Sequence, residues 1–137
     1  LTELEVRYYI LQLLHALSYI HQQRVIHRDL KLGNFFLDDS LHLKVGDFGL
    51  ATSLTHKIKE GGRCVVPPTT LPLRFSKVLL SNPGKKGHSY EVDIWSTGVI
   101  TYTLLFGKPP FETSEVKLTY EKIKNCDFAF PKSNTNS

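Results

Sequence analysis

Asp29, Asn34 and Asp47 carry oxygens suited to proton and metal chemistry, and Lys31 stands between the first two. A carboxylate such as Asp29 can accept the proton of an incoming hydroxyl. The Asn34 amide and the Asp47 carboxylate are hard oxygen ligands of the kind Mg²⁺ takes. Lys31, two residues past Asp29, can balance charge on a transferred phosphate. A phosphoryl-transfer site, whose loose transition state asks the protein mainly to position reactants and neutralise charge, would need groups of these kinds. Gly49, two residues after Asp47, is expected to let the chain turn sharply behind the metal carboxylate.

The flanking sequence predicts elements that would hold these groups. Thr2-Glu3-Leu4-Glu5 reads as a capping box. Val6, Ile10, Leu13, Leu14, Leu17 and Ile20 follow on one helical face, so a helix is expected over about Thr2 to Gln22. Residues 25–34 form a loop behind it. Phe35-Phe36-Leu37 and Leu41-His42-Leu43-Lys44-Val45 read as short strands joined by a turn at Asp38-Asp39-Ser40. A hairpin between them would bring Asn34 and Asp47 close in space. Tyr90 begins a helix running to about Phe106, apolar around most of its circumference, as a buried central helix would be. Gly107 and Pro109-Pro110 end it. Asp93 lies in that apolar context and so requires a partner. A shorter amphipathic helix is expected over Ser114 to Lys124, and the polar tail 132–137 is expected to fray.

Composition narrows the function classes. The chain has 137 residues, 41% hydrophobic and 22% charged, which is ordinary for one modest core. No apolar run approaches the ~20 residues that span a bilayer, no signal peptide opens the chain, and no membrane role is expected. The formal charge of +4 is scattered, with small clusters at Lys57/Lys59 and Lys85/Lys86, so no nucleic-acid stripe is expected. Cys64 and Cys126 follow no pattern and point to free thiols in a reducing, intracellular setting. The six histidines show no zinc-site spacing. His27 sits in a hydrophobic context without a nucleophile that depends on it, and reads as structural.

The run Val25-Ile-His27-Arg28-Asp29-Leu30-Lys31-Leu-Gly-Asn34, followed by Asp47-Phe48-Gly49, resembles the catalytic core of eukaryotic protein kinases. Either motif alone is weak. In this order, with Asn34 five residues after Asp29, they are specific. The resemblance implies an α+β protein-kinase-like fold: a mainly helical C-lobe with a small β-hairpin, the N-lobe absent. It implies Asp29 as base, Lys31 as charge partner, and Asn34 and Asp47 as ligands of the Mg²⁺ that accompanies ATP. Lys31 at its position marks serine/threonine rather than tyrosine kinases. By the same resemblance His27 packs against the Asp-Phe-Gly segment, Arg28 contacts a phosphate on the activation segment, and Asp93 bonds the backbone of the His-Arg-Asp loop.

The likeness narrows to polo-like kinases. Asp29 to Leu37, Lys44 to Thr52, Lys86-Gly87-His88-Ser89 and Gly107-Lys-Pro-Pro-Phe-Glu-Thr113 all look like that family. It implies that Phe36 lines the floor of the adenine pocket and that Gly46 precedes the metal carboxylate. It further implies protein substrates phosphorylated on Ser or Thr, a monomer, and cell-cycle work in cytoplasm, nucleus, centrosome and spindle during mitosis.

The pattern is incomplete. Residues 1–137 are expected to be a partial kinase domain: no Gly-rich loop, strand lysine or helix glutamate precedes Leu1, and no polo-box region follows. Residues 60–83 replace the family's activation segment. One permitted set of codons for Glu60 to Phe75, read from the third base, spells Arg-Arg-Thr-Leu-Cys-Gly-Thr-Pro-Asn-Tyr-Leu-Ala-Pro-Glu-Val, the missing family run. A shifted frame that returns between Ser76 and Gly84 accounts for the stretch. Sequencing the transcript between the codons for Thr55 and Tyr90 decides between that and a diverged segment. The chain by itself is expected to be inactive. The alternative reading is a catalytically inactive fragment or pseudokinase-like interaction module, and upstream coding for a Gly-rich loop and its lysine discriminates the two.

Overall fold

A computed structural model of the chain describes residues 1–53 and 90–131. Helix α1 spans Glu3–Gln22 and opens with the expected capping box. The Thr2 hydroxyl accepts from the Glu5 N–H at 3.3 Å, and the Glu5 carboxylate accepts from the Thr2 N–H at 2.6 Å. Those two bonds satisfy donors that a helix start otherwise leaves open. The Thr2 backbone N–H, and next the Thr2 hydroxyl donating to Glu5 Oε2 at 2.9 Å, hold the Glu5 carboxyl below its usual range.

The buried stripe of α1 is Val6, Leu13 and Leu17, with Ile10 and Ile20 partly covered. Leu14 does not belong to it and is exposed. At ~100° per residue it falls about 80° from Val6, at the edge of the stripe, whereas Leu17 returns to within about 20°. Leu13, Leu17, Leu30 and Ile100 form the core, each of the larger apolar side chains contributing roughly 1.5–3 kcal/mol.

Helix α2 spans Glu91–Phe106 and packs across α1. Gly107 ends it with φ 75°, and its N–H returns to the Thr103 carbonyl at 2.8 Å. The expectation of burial around most of this helix is corrected. Val92, Asp93, Ser96, Thr97, Ile100 and Tyr102 are buried, but Ile94 and Leu105 are exposed. Trp95 stacks on Phe111, with ring centroids 5.5 Å apart. Helix α3 spans Val116–Asn125, starting two residues later than expected because Glu115, in extended backbone, is its N-cap.

Four strands make two antiparallel pairs among the described residues. β2 (Phe35–Leu37) and β3 (Leu43–Val45) form the expected hairpin, with Phe35 opposite Val45 and Leu37 opposite Leu43. The second strand begins at Leu43 rather than Leu41. Asp38 accepts the N–H groups of Ser40 and His42, wrapping the turn as far as His42, and Leu41 takes φ 60° inside it. β1 (Val25–Ile26) pairs with β4 (Thr52–Ser53), which the sequence did not signal. No helix among the described residues is long and apolar enough to cross a membrane. The replaced segment 60–83, the tail 132–137, Cys64, His56, His88 and the lysine clusters lie outside the described residues.

Candidate functional site

The pairing of β1 with β4 closes residues 25–53 into one unit. The loop after β1 and the Asp47–Gly49 segment before β4 therefore lie side by side. Ile26, His27, Asp29 and Leu30 are all buried within it. One carboxylate on α2 holds this loop. Asp93, itself fully buried, accepts the His27 N–H at 2.9 Å on Oδ2 and the Arg28 N–H at 2.8 Å on Oδ1. The His21 ring adds Nε2 at 2.8 Å from Oδ2. Buried carboxylates demand such donors, and the three N–H groups meet that demand. Arg28, half-buried, takes φ 72°, a left-handed conformation that a non-glycine residue holds only under constraint.

His27 is built into the loop by both ring nitrogens. Nδ1 accepts the Asp29 N–H at 3.3 Å, so the proton sits on Nε2, which donates to the Gly46 carbonyl at 3.0 Å. Its ring lies against Phe48, centroid to centroid 4.7 Å. The residue thus ties the loop to the Asp-Phe-Gly segment.

Asp29 is the centre of a small polar cluster. Its Oδ2 accepts Lys31 Nζ at 2.7 Å and Asn34 Nδ2 at 3.2 Å. Asn34 Nδ2 also donates to the Asp29 carbonyl at 2.8 Å, which commits the amide nitrogen to Asp29 and leaves the amide oxygen for another partner. Asn34 and Asp29 are both buried. The second carboxylate oxygen of Asp29, Oδ1, is buried with no hydrogen-bond partner among the described residues. Lys31 is exposed, and the Asp29 carboxylate lifts its pKa above the ordinary lysine value, with Asp47 adding to the effect.

Asp47 stands at the open end of the hairpin. The Gly46 N–H donates to the Asn34 carbonyl at 2.9 Å, so the backbone next to Asp47 is pinned to the residue whose amide oxygen is open. The sharp turn is at Asp47 itself, with φ 57° and ψ 73°, and not at Gly49 as expected. An aspartate tolerates this backbone because its carboxylate can bond the chain two residues on; here Oδ1 accepts the Gly49 N–H at 3.2 Å. Gly49 matters for its size, since a Cβ there would stand 3.1 Å from Asp47 Oδ1. Phe36, on β2, is 57% exposed, and its ring lies over Gly46, where a Cβ would meet Phe36 Cε2 at 2.8 Å.

The sequence-predicted residues Asp29, Lys31 and Asn34 are thus in direct contact, His27 and Asp93 brace them, and Asp47 is drawn beside Asn34. The open oxygens of Asn34 and Asp47 are hard donors of the kind that suits Mg²⁺. Two contributors were missed. Gln12 Oε1 accepts the Leu43 N–H at 2.8 Å and fastens the hairpin to α1, and His21 reaches Asp93. Both are single polar residues on a helix, and neither belongs to a motif.

Comparison with known proteins agrees with this geometry. The protein kinase domain family matches residues 1–137. The serine/threonine-protein kinase polo of Drosophila melanogaster is 52% identical over 135 residues, covering 96% of this chain and 22% of that protein. Serine/threonine-protein kinase PLK1 of Xenopus laevis is 53% identical over 135 residues, 96% of this chain and 21% of that protein. The cell cycle serine/threonine-protein kinase CDC5/MSD2 of Saccharomyces cerevisiae is 49% identical over 133 residues, 96% of this chain and 18% of that protein. The chain therefore spans about a fifth of the length of the curated relatives it matches. With the His-Arg-Asp loop, the paired amide and the Asp-Phe-Gly carboxylate gathered at one hairpin, and with these relatives, the chain belongs to the protein kinase domain family, beside the polo-type serine/threonine kinases.

Proposed function

We propose that this chain is the C-lobe part of a polo-like kinase domain, and that the parent protein transfers the ATP γ-phosphate to Ser or Thr hydroxyls of protein substrates. The observation that carries the reading is the Asp29 cluster. Lys31 and Asn34 hold one carboxylate oxygen, and the other, Oδ1, has no hydrogen-bond partner among the described residues. That oxygen is available to take the proton of an incoming hydroxyl. Lys31, kept cationic by Asp29, balances charge on the transferred group. Asn34 and Asp47 would hold Mg²⁺, which when bound neutralises charge on the phosphate oxygens. Phe36 would line the floor of the adenine site, an assignment its exposed ring supports. Arg28 would contact a phosphate on the activation segment. His27, Gly49 and Asp93 are structural: the first and last brace the loop, and Gly49 leaves room for the Asp47 carboxylate. We read residues 60–83 as the product of a shifted frame. The cell-cycle setting, at centrosome and spindle, is taken from the polo-type relatives.

The experiment is Mg²⁺-dependent ATP binding by the intact kinase that carries this segment, wild type against Asp47→Asn. Loss of one metal carboxylate is expected to weaken the Mg²⁺-dependent part of the affinity by at least about tenfold. Equal Mg²⁺ dependence in the two proteins would refute the metal assignment.

A further inference from the structure

We propose that Gln12 is a positioning residue for Asn34 and Asp47, the metal ligands of the function proposed above, and that it acts through the backbone of β3. It touches neither ligand. It sits on α1, where its Oε1 accepts the N–H of Leu43, 31 residues further along the chain, at 2.8 Å.

The hairpin register explains why that N–H needs an acceptor. Phe35 stands opposite Val45 and Leu37 opposite Leu43. The ladder bonds join residues 34 and 46, through the Gly46 N–H at 2.9 Å, and residues 38 and 42, through the Asp38 N–H at 3.1 Å. Bonded and non-bonded pairs alternate in an antiparallel ladder, so Leu43 turns its N–H away from β2, off the edge of the pair. On a partly buried strand an open N–H is costly. Gln12 supplies the oxygen that a third strand would otherwise offer.

That bond sets where the hairpin lies along α1. Phe35, Leu43 and Val45 pack against the core cluster, and such contacts hold the strand close without a preferred direction. The bond to Gln12 is directional and fixes the strand's position. Asp47 follows Leu43 by four residues, and Asn34 is bonded to Gly46, so both ligands move with β3. Asp29 does not, because Asp93 holds its loop through the His27 and Arg28 N–H groups. Gln12 therefore sets the place of both ligands relative to Asp29.

The test compares the intact kinase that carries this segment with Gln12→Met and Gln12→Glu. Gln12 Nε2 is buried with no hydrogen-bond partner among the described residues, so the Met variant removes this one bond and keeps an unbranched side chain. The Glu variant keeps an accepting oxygen, ionised or not. Two quantities are read: exchange of the Leu43 amide, and the Mg²⁺ concentration at which ATP binding is half enhanced. In Gln12→Met the amide should exchange faster by about tenfold or more, and the Mg²⁺ midpoint should rise by about threefold or more. Gln12→Glu should stay near wild type in both. An unchanged Leu43 amide in the Met variant overturns the anchor. A faster amide with an unchanged Mg²⁺ midpoint, or equal losses in the Met and Glu variants, leaves Gln12 a packing residue and overturns the positioning role. If Gln12→Met does not fold, Gln12→Asn, whose amide stops about 1.5 Å short of the Leu43 N–H, takes its place with the same expectations. A wild type whose ATP binding ignores Mg²⁺ refutes the metal assignment itself, and the positioning role falls with it.

Discussion

Asp93→Asn changes one atom in a fully buried side chain that joins α2 to the loop. The native carboxylate accepts three N–H donors, two on Oδ2 and one on Oδ1. The amide that replaces it has one accepting oxygen. Its best arrangement keeps that oxygen toward His21 and His27 and turns the NH₂ toward the Arg28 N–H, donor against donor. Hydrogen bonds to a charged group contribute about 1.5–3 kcal/mol net, and neutral ones about 1 kcal/mol. Two bonds are weakened and one is lost, with a buried N–H left open, so the expected loss is about 3 kcal/mol. That is a large part of the roughly 5–15 kcal/mol that stabilises an ordinary domain. Trp95, the sole tryptophan, lies two residues further along α2 and stacks on Phe111, so its fluorescence reports this region during urea unfolding. At an m-value of about 2 kcal/mol per molar, the midpoint should fall by about 1.5 M. The exposed Asp39→Asn serves as control and should stay within about 0.5 kcal/mol of wild type. A midpoint shift for Asp93→Asn under about 0.3 M at unchanged m would refute the claim that this carboxylate holds the loop.

Two further outcomes follow from the hairpin. Asp38 is held down to about 2 from 3.8, chiefly by the His42 N–H, with Lys44 and the Ser40 N–H assisting. Its folded pKa lies below the unfolded one, so its contribution to stability is complete above about pH 3.8 and is lost as pH falls through about 2. The His42 amide resonance should titrate near pH 2 and lose that titration in Asp38→Asn; a midpoint near 3.8 would contradict the turn described above. Gly46→Ala would drive a Cβ to 2.8 Å from the exposed Phe36 ring, which has room to swing away. The stability cost should be modest, about 1 kcal/mol. The Phe36 ring should move, and the intact kinase should bind ATP more weakly. Unchanged Phe36 resonances and unchanged ATP affinity would contradict this packing.

Much of the site was legible because its residues sit in local patterns. The capping box at Thr2 and Glu5, the α1 stripe, the hairpin and the demand of Asp93 for a partner all follow from short-range chemistry. What escaped was long-range or decided by one side chain. β1 and β4 are two residues each and lie 26 positions apart, too short for any period to register. Leu14 was credited to the buried face because a leucine at the edge of a stripe looks the same as one at its centre. The turn was expected at Gly49 because glycine is the default for a left-handed backbone. Asp47 takes that conformation instead, since its own carboxylate compensates by capping Gly49. His21 and Gln12 belong to no motif, and only the packing of α1 against the loop and β3 reveals them.

The central claim is that Asp29, held by Lys31 and Asn34, is the base of a phosphoryl-transfer site. Phosphate transfer from radiolabelled ATP to a Ser/Thr protein substrate by the intact kinase tests it most directly, wild type against Asp29→Asn. The substitution keeps the shape and removes the proton acceptor, and kcat is expected to fall by at least about a hundredfold while ATP still binds. Transfer at the wild-type rate by Asp29→Asn would contradict the account.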